Sequence, residues 1–145
     1  MLKKYGDIPV YAFNFVDYIL WKNREELGRK YKGVKFDHFK FAYRRSIEHW
    51  FPQHPNSDEK IEKMDDQFLH SFGNLCIITD SQNSKFGNLV PSAKYKQWEG
   101  IFDRQSLKLQ IMANITEKTK WESYQIKGLE KEILPMVKRF IESKS

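Results

Sequence analysis

The sequence predicts an α+β fold in which helix dominates. Three observations lead there. Apolar residues recur at three- and four-residue spacing near both ends of the chain. Two short apolar runs in the middle, around Ile47 and around Ile77, have the length and composition of strands. No internal repeat or low-complexity linker divides the 145 residues, which is one domain's worth of chain.

The elements follow in order. From Pro9 to about Tyr31, Phe13, Val16, Leu20 and Leu27 form an apolar stripe, with Pro9 suited to a first helical turn and Gly33 just past the end. The charged residues between Lys22 and Lys30 read as its solvated face. Phe36 to Tyr43 is aromatic-rich and reads as either helix or strand. Arg44 to Phe51 reads as a strand that Pro52 and Pro55 terminate. His54 to Asp66 is a polar loop, and Asp65 to His70 a short helical turn. Asn74 to Thr79 is the second strand. Asp80 or Ser81 then caps a helix whose first turn holds Asn83. Helical stretches follow at Ser92 to Trp98 and Arg104 to Asn114. The last helix runs from about Glu117 or Lys118 to Ser143, striped by Trp121, Ile126, Leu129, Ile133, Val137 and Phe140 or Ile141, with Pro135 as the position where it could kink.

Composition narrows the function classes. Aromatics make up 15% of the chain, which argues against intrinsic disorder. The net charge is +6 and the isoelectric point about 9.3, a balance that favours polyanions, nucleic acid first and anionic membrane second. The single cysteine, Cys76, excludes an internal disulfide and a thiolate zinc cluster; its apolar setting reads as a buried inert thiol. No run approaches the roughly 20 apolar residues of a membrane span, and no signal-peptide core follows Lys3 and Lys4, so a cytoplasmic location is expected.

Three segments carry chemistry: Ile47-Glu48-His49-Trp50-Phe51-Pro52-Gln53, Gly73-Asn74-Leu75-Cys76-Ile77-Ile78, and Asp80-Ser81-Gln82-Asn83-Ser84-Lys85-Phe86-Gly87-Asn88. Each alone has an ordinary structural reading. Glu48 pairs with Arg44 or Arg45 on a surface, Asn74 serves a turn, and Asn83 starts a helix. Together they match what phosphodiester hydrolysis requires. A water must lose a proton, and imidazole, with a reference pKa of about 6.5, accepts one near neutral pH. Negative charge on the phosphate must be stabilised, and one divalent cation held by a carboxylate and an amide oxygen does that. Adjacent strand residues face opposite ways, so Glu48 and His49 share a pocket only if His49 sits where the strand breaks toward Pro52. Arg44, Arg45, Lys85, Lys94 and Lys96 flank these segments and would track a phosphate backbone if they share a face. Trp50 and Phe51 read as core. His54 reads as loop decoration, His70 as structural, and His38 has no assigned role.

Glu-His-x-x-Pro-Gln, Gly-Asn-Leu and Asn-x-Lys, in that order, resemble the HNH (ββα-metal) nuclease motif. The HNH domain of RNA-guided effector nucleases shows a similar arrangement. More closely, the chain resembles the C-terminal nuclease domain of GmrSD-type, modification-dependent restriction endonucleases. The resemblance is clear over 44–94 and looser over the helical flanks 9–31 and 104–143. It implies a single HNH-type domain, with a two-stranded hairpin plus helix embedded among flanking helices, forming the C-terminal part of a larger restriction-type protein. By that resemblance His49 is the general base, Glu48 and Asn83 are metal ligands, and Asn74 braces the loop and orients the histidine. Lys85, Arg44, Arg45 and Gln53 are expected to contact nucleic acid. Most HNH enzymes carry Asp where Glu48 stands, and often His where Asn83 stands. An amide ligand turns the expected cofactor toward Mg²⁺ or Mn²⁺. The implied activity is metal-dependent endonucleolytic hydrolysis of DNA in defence, with a ParB-like nucleotide-dependent domain or subunit as partner and no membrane association. The rival readings are a non-catalytic DNA-binding HNH-like module and an RNase.

Overall fold

The computed structural model describes residues 4–55, 62–98 and 105–144. Part of the expected polar loop, 56–61, and the expected helix start at Arg104 lie outside them. The fold is mostly helical, with one two-stranded antiparallel sheet. Its first helical stretch is two helices, α1 (Val10–Lys22) and α2 (Arg24–Lys30), rather than one. The break is at Asn23, with φ −103° and ψ 21°, where the side-chain Nδ2 donates to Ile19 O at 2.8 Å. An amide that bonds backbone locally in this way competes with helix continuation. Pro9 stands just outside α1, in extended conformation, as its N-cap.

The aromatic stretch beyond Val34 forms only a 3₁₀ turn, Phe36–His38, before running irregularly into β1 (Ser46–His49). A short helix, α3 (Asp66–Leu69), is capped by the Asp65 carboxylate, which accepts from Gln67 N at 3.0 Å. A second 3₁₀ turn, Phe72–Asn74, leads into β2 (Leu75–Ile78). The register pairs Ser46 with Ile78, Ile47 with Ile77, Glu48 with Cys76 and His49 with Leu75. Next comes α4 (Asp80–Phe86), whose N-cap is Thr79, one residue before the expected positions; its hydroxyl accepts from Gln82 N at 3.3 Å. Asp80 instead accepts a hydrogen bond from Ser46 Oγ, tying α4 to β1.

The remaining helices are α5 (Pro91–Trp98), α6 (Leu107–Lys118) and α7 (Ser123–Ser143). Every residue from Leu107 to Asn114 is buried, so α6 is the central helix, packed against α1, α5 and β2. The last helix starts later than expected because Glu122 and Gln125 close a reciprocal capping box there. Ile126, Leu129, Ile133 and Met136 are its buried stripe. Burying each such side chain stabilises the fold by about 1.5–3 kcal/mol. Trp121 is buried just ahead of the helix, not on it. Pro135 lies inside α7.

One close approach fixes a residue type. A Cβ on Gly73 would lie 2.3 Å from Ile126 O of α7, so backbone packs on backbone there and only glycine fits. Cys76 is fully buried, and burial pushes its thiol up to about 12, the inert thiol expected. Among the described residues no helix is long and apolar enough to cross a membrane.

Candidate active site

The site forms where β1 ends and β2 begins, at the mouth of the 50–74 connection. Alternation along β1 persists through His49. The ladder even continues one bond further, with Trp50 N donating to Asn74 O at 2.9 Å. The break expected at His49 therefore comes one residue later. Glu48 and His49 turn to different neighbours: Glu48 to Lys94 of α5, His49 to His70 and Tyr5.

His49 is 5% exposed. Its Nε2 lies 3.1 Å from His70 Nδ1, and Gln53 Nε2 lies 3.5 Å from its Nδ1. The Tyr5 ring meets its edge with centroids 4.5 Å apart. Burial, with the neighbouring charges of His70 and Lys94, lowers the imidazole to about 4. His49 is thus neutral at neutral pH and keeps a lone pair to receive a proton.

Glu48 is 6% exposed. Burial raises its carboxyl to about 7, against the lowering effect of Lys94. Its Oε2 stands 3.6 Å from Lys94 Nζ and has no hydrogen-bond partner. Lys94 itself is fully buried. Its Nζ donates to His49 O at 2.8 Å and Trp50 O at 2.9 Å, and burial pushes the ammonium's pKa down.

Asn74 is fully buried and saturated. Its Oδ1 accepts from Phe51 N and from Trp121 Nε1, both at 2.9 Å. Its Nδ2 donates to Phe51 O at 3.0 Å and Leu69 O at 2.9 Å. The side chain clamps both ends of the 50–74 connection and touches no other site residue than the backbone beside His49. A second buried ammonium completes the frame. Lys108 of α6 donates to Gly73 O at 3.3 Å and Leu75 O at 2.5 Å.

Asn83 lies on α4 with its side chain exposed, and no hydrogen bond joins it to Glu48 or His49. It is three residues from Phe86, hence a neighbour on the helix surface. Phe86 packs edge-on against Trp50, with centroids 6.0 Å apart, and Trp50 shares the Glu48 face of β1. No contact brings Asn83 to Glu48; the Phe86–Trp50 packing is what joins their two elements here.

One feature here, an acceptor without a donor, is of the kind a hard cation would satisfy. The Glu48 Oε2 is a buried acceptor with no donor, and the Asn83 amide is uncommitted and open to solvent. Among the described residues no group of three or more His, Cys, Asp or Glu side chains could hold a metal ion. Two protein oxygens with waters completing the sphere is the arrangement Mg²⁺ tolerates and a zinc site does not.

Of the expected nucleic-acid contacts, Arg45 and Lys85 are exposed, as are Lys96 and Gln53. Arg44 and Lys94 are placed differently. Arg44 is only 4% exposed, with Nη1 on Ala42 O at 3.1 Å and its guanidinium over the Phe39 ring. Both of these cations are turned to backbone carbonyls rather than to the surface. Trp50 and Phe51 are core, as read from the sequence. His54 and His38 are exposed. Sequence reasoning took His70 as merely structural and missed its contact with His49. Nothing in a 21-residue separation marks that pairing.

The family model described as GmrSD restriction endonucleases, C-terminal domain, matches residues 4–135. No curated protein and no solved structure matches the chain.

Proposed function

The chain belongs to the family of GmrSD restriction endonuclease C-terminal domains, and from that premise we propose that it is a divalent-metal-dependent DNA endonuclease with His49 as its general base. The observation that carries this reading is a neutral, buried imidazole at the end of a strand whose preceding residue is a buried carboxylate with a donorless oxygen.

In this mechanism Glu48 and Asn83 would be the residues that hold Mg²⁺ or Mn²⁺, and the cation would supply electrostatic stabilisation of the charge that builds during phosphodiester hydrolysis. His49 takes a proton from a water aligned with the phosphorus. The water oxygen forms the new P–O bond and the bond to the 3′ oxygen breaks. The 3′ oxygen regains a proton from solvent, leaving 5′-phosphate and 3′-hydroxyl ends. Asn74 holds Phe51 and so fixes the backbone from which His49 projects. Arg45, Lys85 and Gln53 stand exposed to meet the DNA backbone. The domain would act as the nuclease part of a larger restriction-type assembly, with a ParB-like nucleotide-dependent unit as its regulator.

The test is nicking of supercoiled plasmid with Mg²⁺, Mn²⁺ or EDTA. Nicking should need the metal and fall at least about 100-fold in His49→Ala, the scale of a lost general base. Nicking that survives in that variant, or in EDTA, would refute the assignment.

A further inference from the structure

His49 has partners on both ring nitrogens, and one of them lies outside the motif segments. Gln53 presents its amide nitrogen to Nδ1 at 3.5 Å, and His70 presents Nδ1 to Nε2 at 3.1 Å. An amide N–H₂ is a donor only, so the His49 Nδ1 facing it carries a lone pair and no proton. In the neutral imidazole the proton then sits on Nε2 and is donated to His70 Nδ1. That in turn leaves the His70 proton on its own Nε2.

We propose that His70 is a positioning residue for the hydrolytic base: it accepts the Nε2–H of His49, fixes that tautomer, and leaves Nδ1 as the lone pair that receives the proton from water. The inference rests on His49 being the base and adds the group that orients it. The surroundings make the arrangement rigid. The Tyr5 ring covers the His49 edge, and its backbone N–H donates to His70 O at 2.7 Å. The His49 and His70 rings meet edge to face, with centroids 5.2 Å apart. A base held this way keeps one nitrogen unprotonated, on the side where the exposed Gln53 stands. When Nδ1 takes up a proton, the imidazolium keeps its Nε2–H bond to the His70 lone pair, while the Gln53 amide nitrogen can no longer donate to Nδ1 and must turn away or present its oxygen. A partner that orients a functional imidazole through its second nitrogen is commonly required for full activity.

Long-range ¹⁵N–¹H spectra of the full chain at neutral pH report the tautomer directly, with or without cleavage. Wild type should show His49 protonated on Nε2 alone. His70→Phe, which keeps a ring but no acceptor, should give a mixed tautomer at His49. With plasmid, kcat should fall about 10- to 100-fold, as for other lost outer partners, with KM unchanged. His70→Asn, which returns an acceptor near the Nδ1 position, should restore both the tautomer and most of kcat. A structural role alone would move the melting temperature without moving the tautomer. Wild-type His49 protonated on Nδ1, or a tautomer indifferent to His70→Phe, would overturn the proposal. An intact tautomer pattern in a protein that never nicks DNA would uphold the pairing while overturning the nuclease reading.

Discussion

Two buried lysines hold the two sides of the hairpin's mouth, and they do it differently. Lys94, from α5, binds the carbonyls of His49 and Trp50 where β1 leaves the sheet. Lys108, from α6, binds those of Gly73 and Leu75 where β2 enters it. Each ammonium lies under an aromatic ring or two, Trp50 and Phe86 for Lys94 and Phe72 for Lys108. The geometry is nearly the same; the electrostatics are not. Lys94 stands 3.6 Å from a buried carboxylate, Glu48, whereas among the described residues no carboxylate lies within ion-pair distance of Lys108. Lys108 is held by two carbonyls and the Met112 sulfur, with the charges of Glu130 and Asp17 farther off, so the close carboxylate is what sets Lys94 apart. A buried carboxylate singled out in this way points to chemistry.

Removing each ammonium separates the two clamps. Lys94→Met strips two carbonyls of their donor and leaves Glu48 buried without a cation. A loss of about 3–5 kcal/mol is expected, the usual cost of breaking a buried pair. Lys108→Met strips two carbonyls and the Met112 sulfur of their donor but leaves no carboxylate at ion-pair distance stranded, and should cost about 2 kcal/mol. Urea titrations of both variants give the order directly, and the reverse order would break the comparison.

Adding Glu48→Gln sharpens it. In the Lys94→Met background the neutral amide should recover about 1–2 kcal/mol, because the stranded charge is gone. In the Lys108→Met background it should recover nothing. Equal recovery in both would show that Glu48 does not single out Lys94.

Acid titration probes the site side through His49. Its folded value, about 4, lies below the unfolded 6.5, so unfolding binds a proton between those limits. The associated stability is present above pH 6.5 and is lost as pH falls through about 4. Glu48 and Asp17, whose folded values of about 7 and about 6 lie above their unfolded ones, act in the opposite sense, so the His49 contribution is read as a difference: across that window the wild-type melting temperature should fall relative to that of His49→Gln. A difference that stays constant across the window would contradict it.

The smallest effect concerns cations outside the hairpin. Arg45→Ala and Lys85→Ala should each lower the slope of log K for DNA against log salt by about 1. Arg44→Ala, whose guanidinium faces backbone carbonyls, should leave that slope unchanged while weakening the fold. A slope that drops for Arg44 as much as for Arg45 would mean the buried arginine reaches phosphate.

How much of this was legible beforehand follows from the range of each interaction. Both strands and the apolar stripe of α7 were readable because their signals are local: a short apolar run for each strand, helical periodicity for α7. The helix break at Asn23 was not, since the surrounding apolar spacing runs straight through it. Glu48, His49, Asn74 and Asn83 were singled out by the order of three short segments and their resemblance to a known motif, which said nothing of what they touch. The Asn74 bond to Trp121 spans 47 residues, and the His49 contact with His70 spans 21. Lysines are expected outside, so Lys94 was read as a phosphate contact and Lys108 was passed over; only packing reveals that both are interior.

The glycine ahead of Asn74 carries a lesson about what a motif records. Its missing Cβ leaves room for the backbone of α7 some 50 residues downstream, so the letter is an imprint of a neighbouring helix rather than of any reaction. Descendants of this domain that had lost all activity would still keep that glycine for as long as the helix stayed docked. In a survey of diverged sequences, Gly73 and Asn74 should therefore outlive His49, and their persistence would testify to ancestry, with function judged from the imidazole alone.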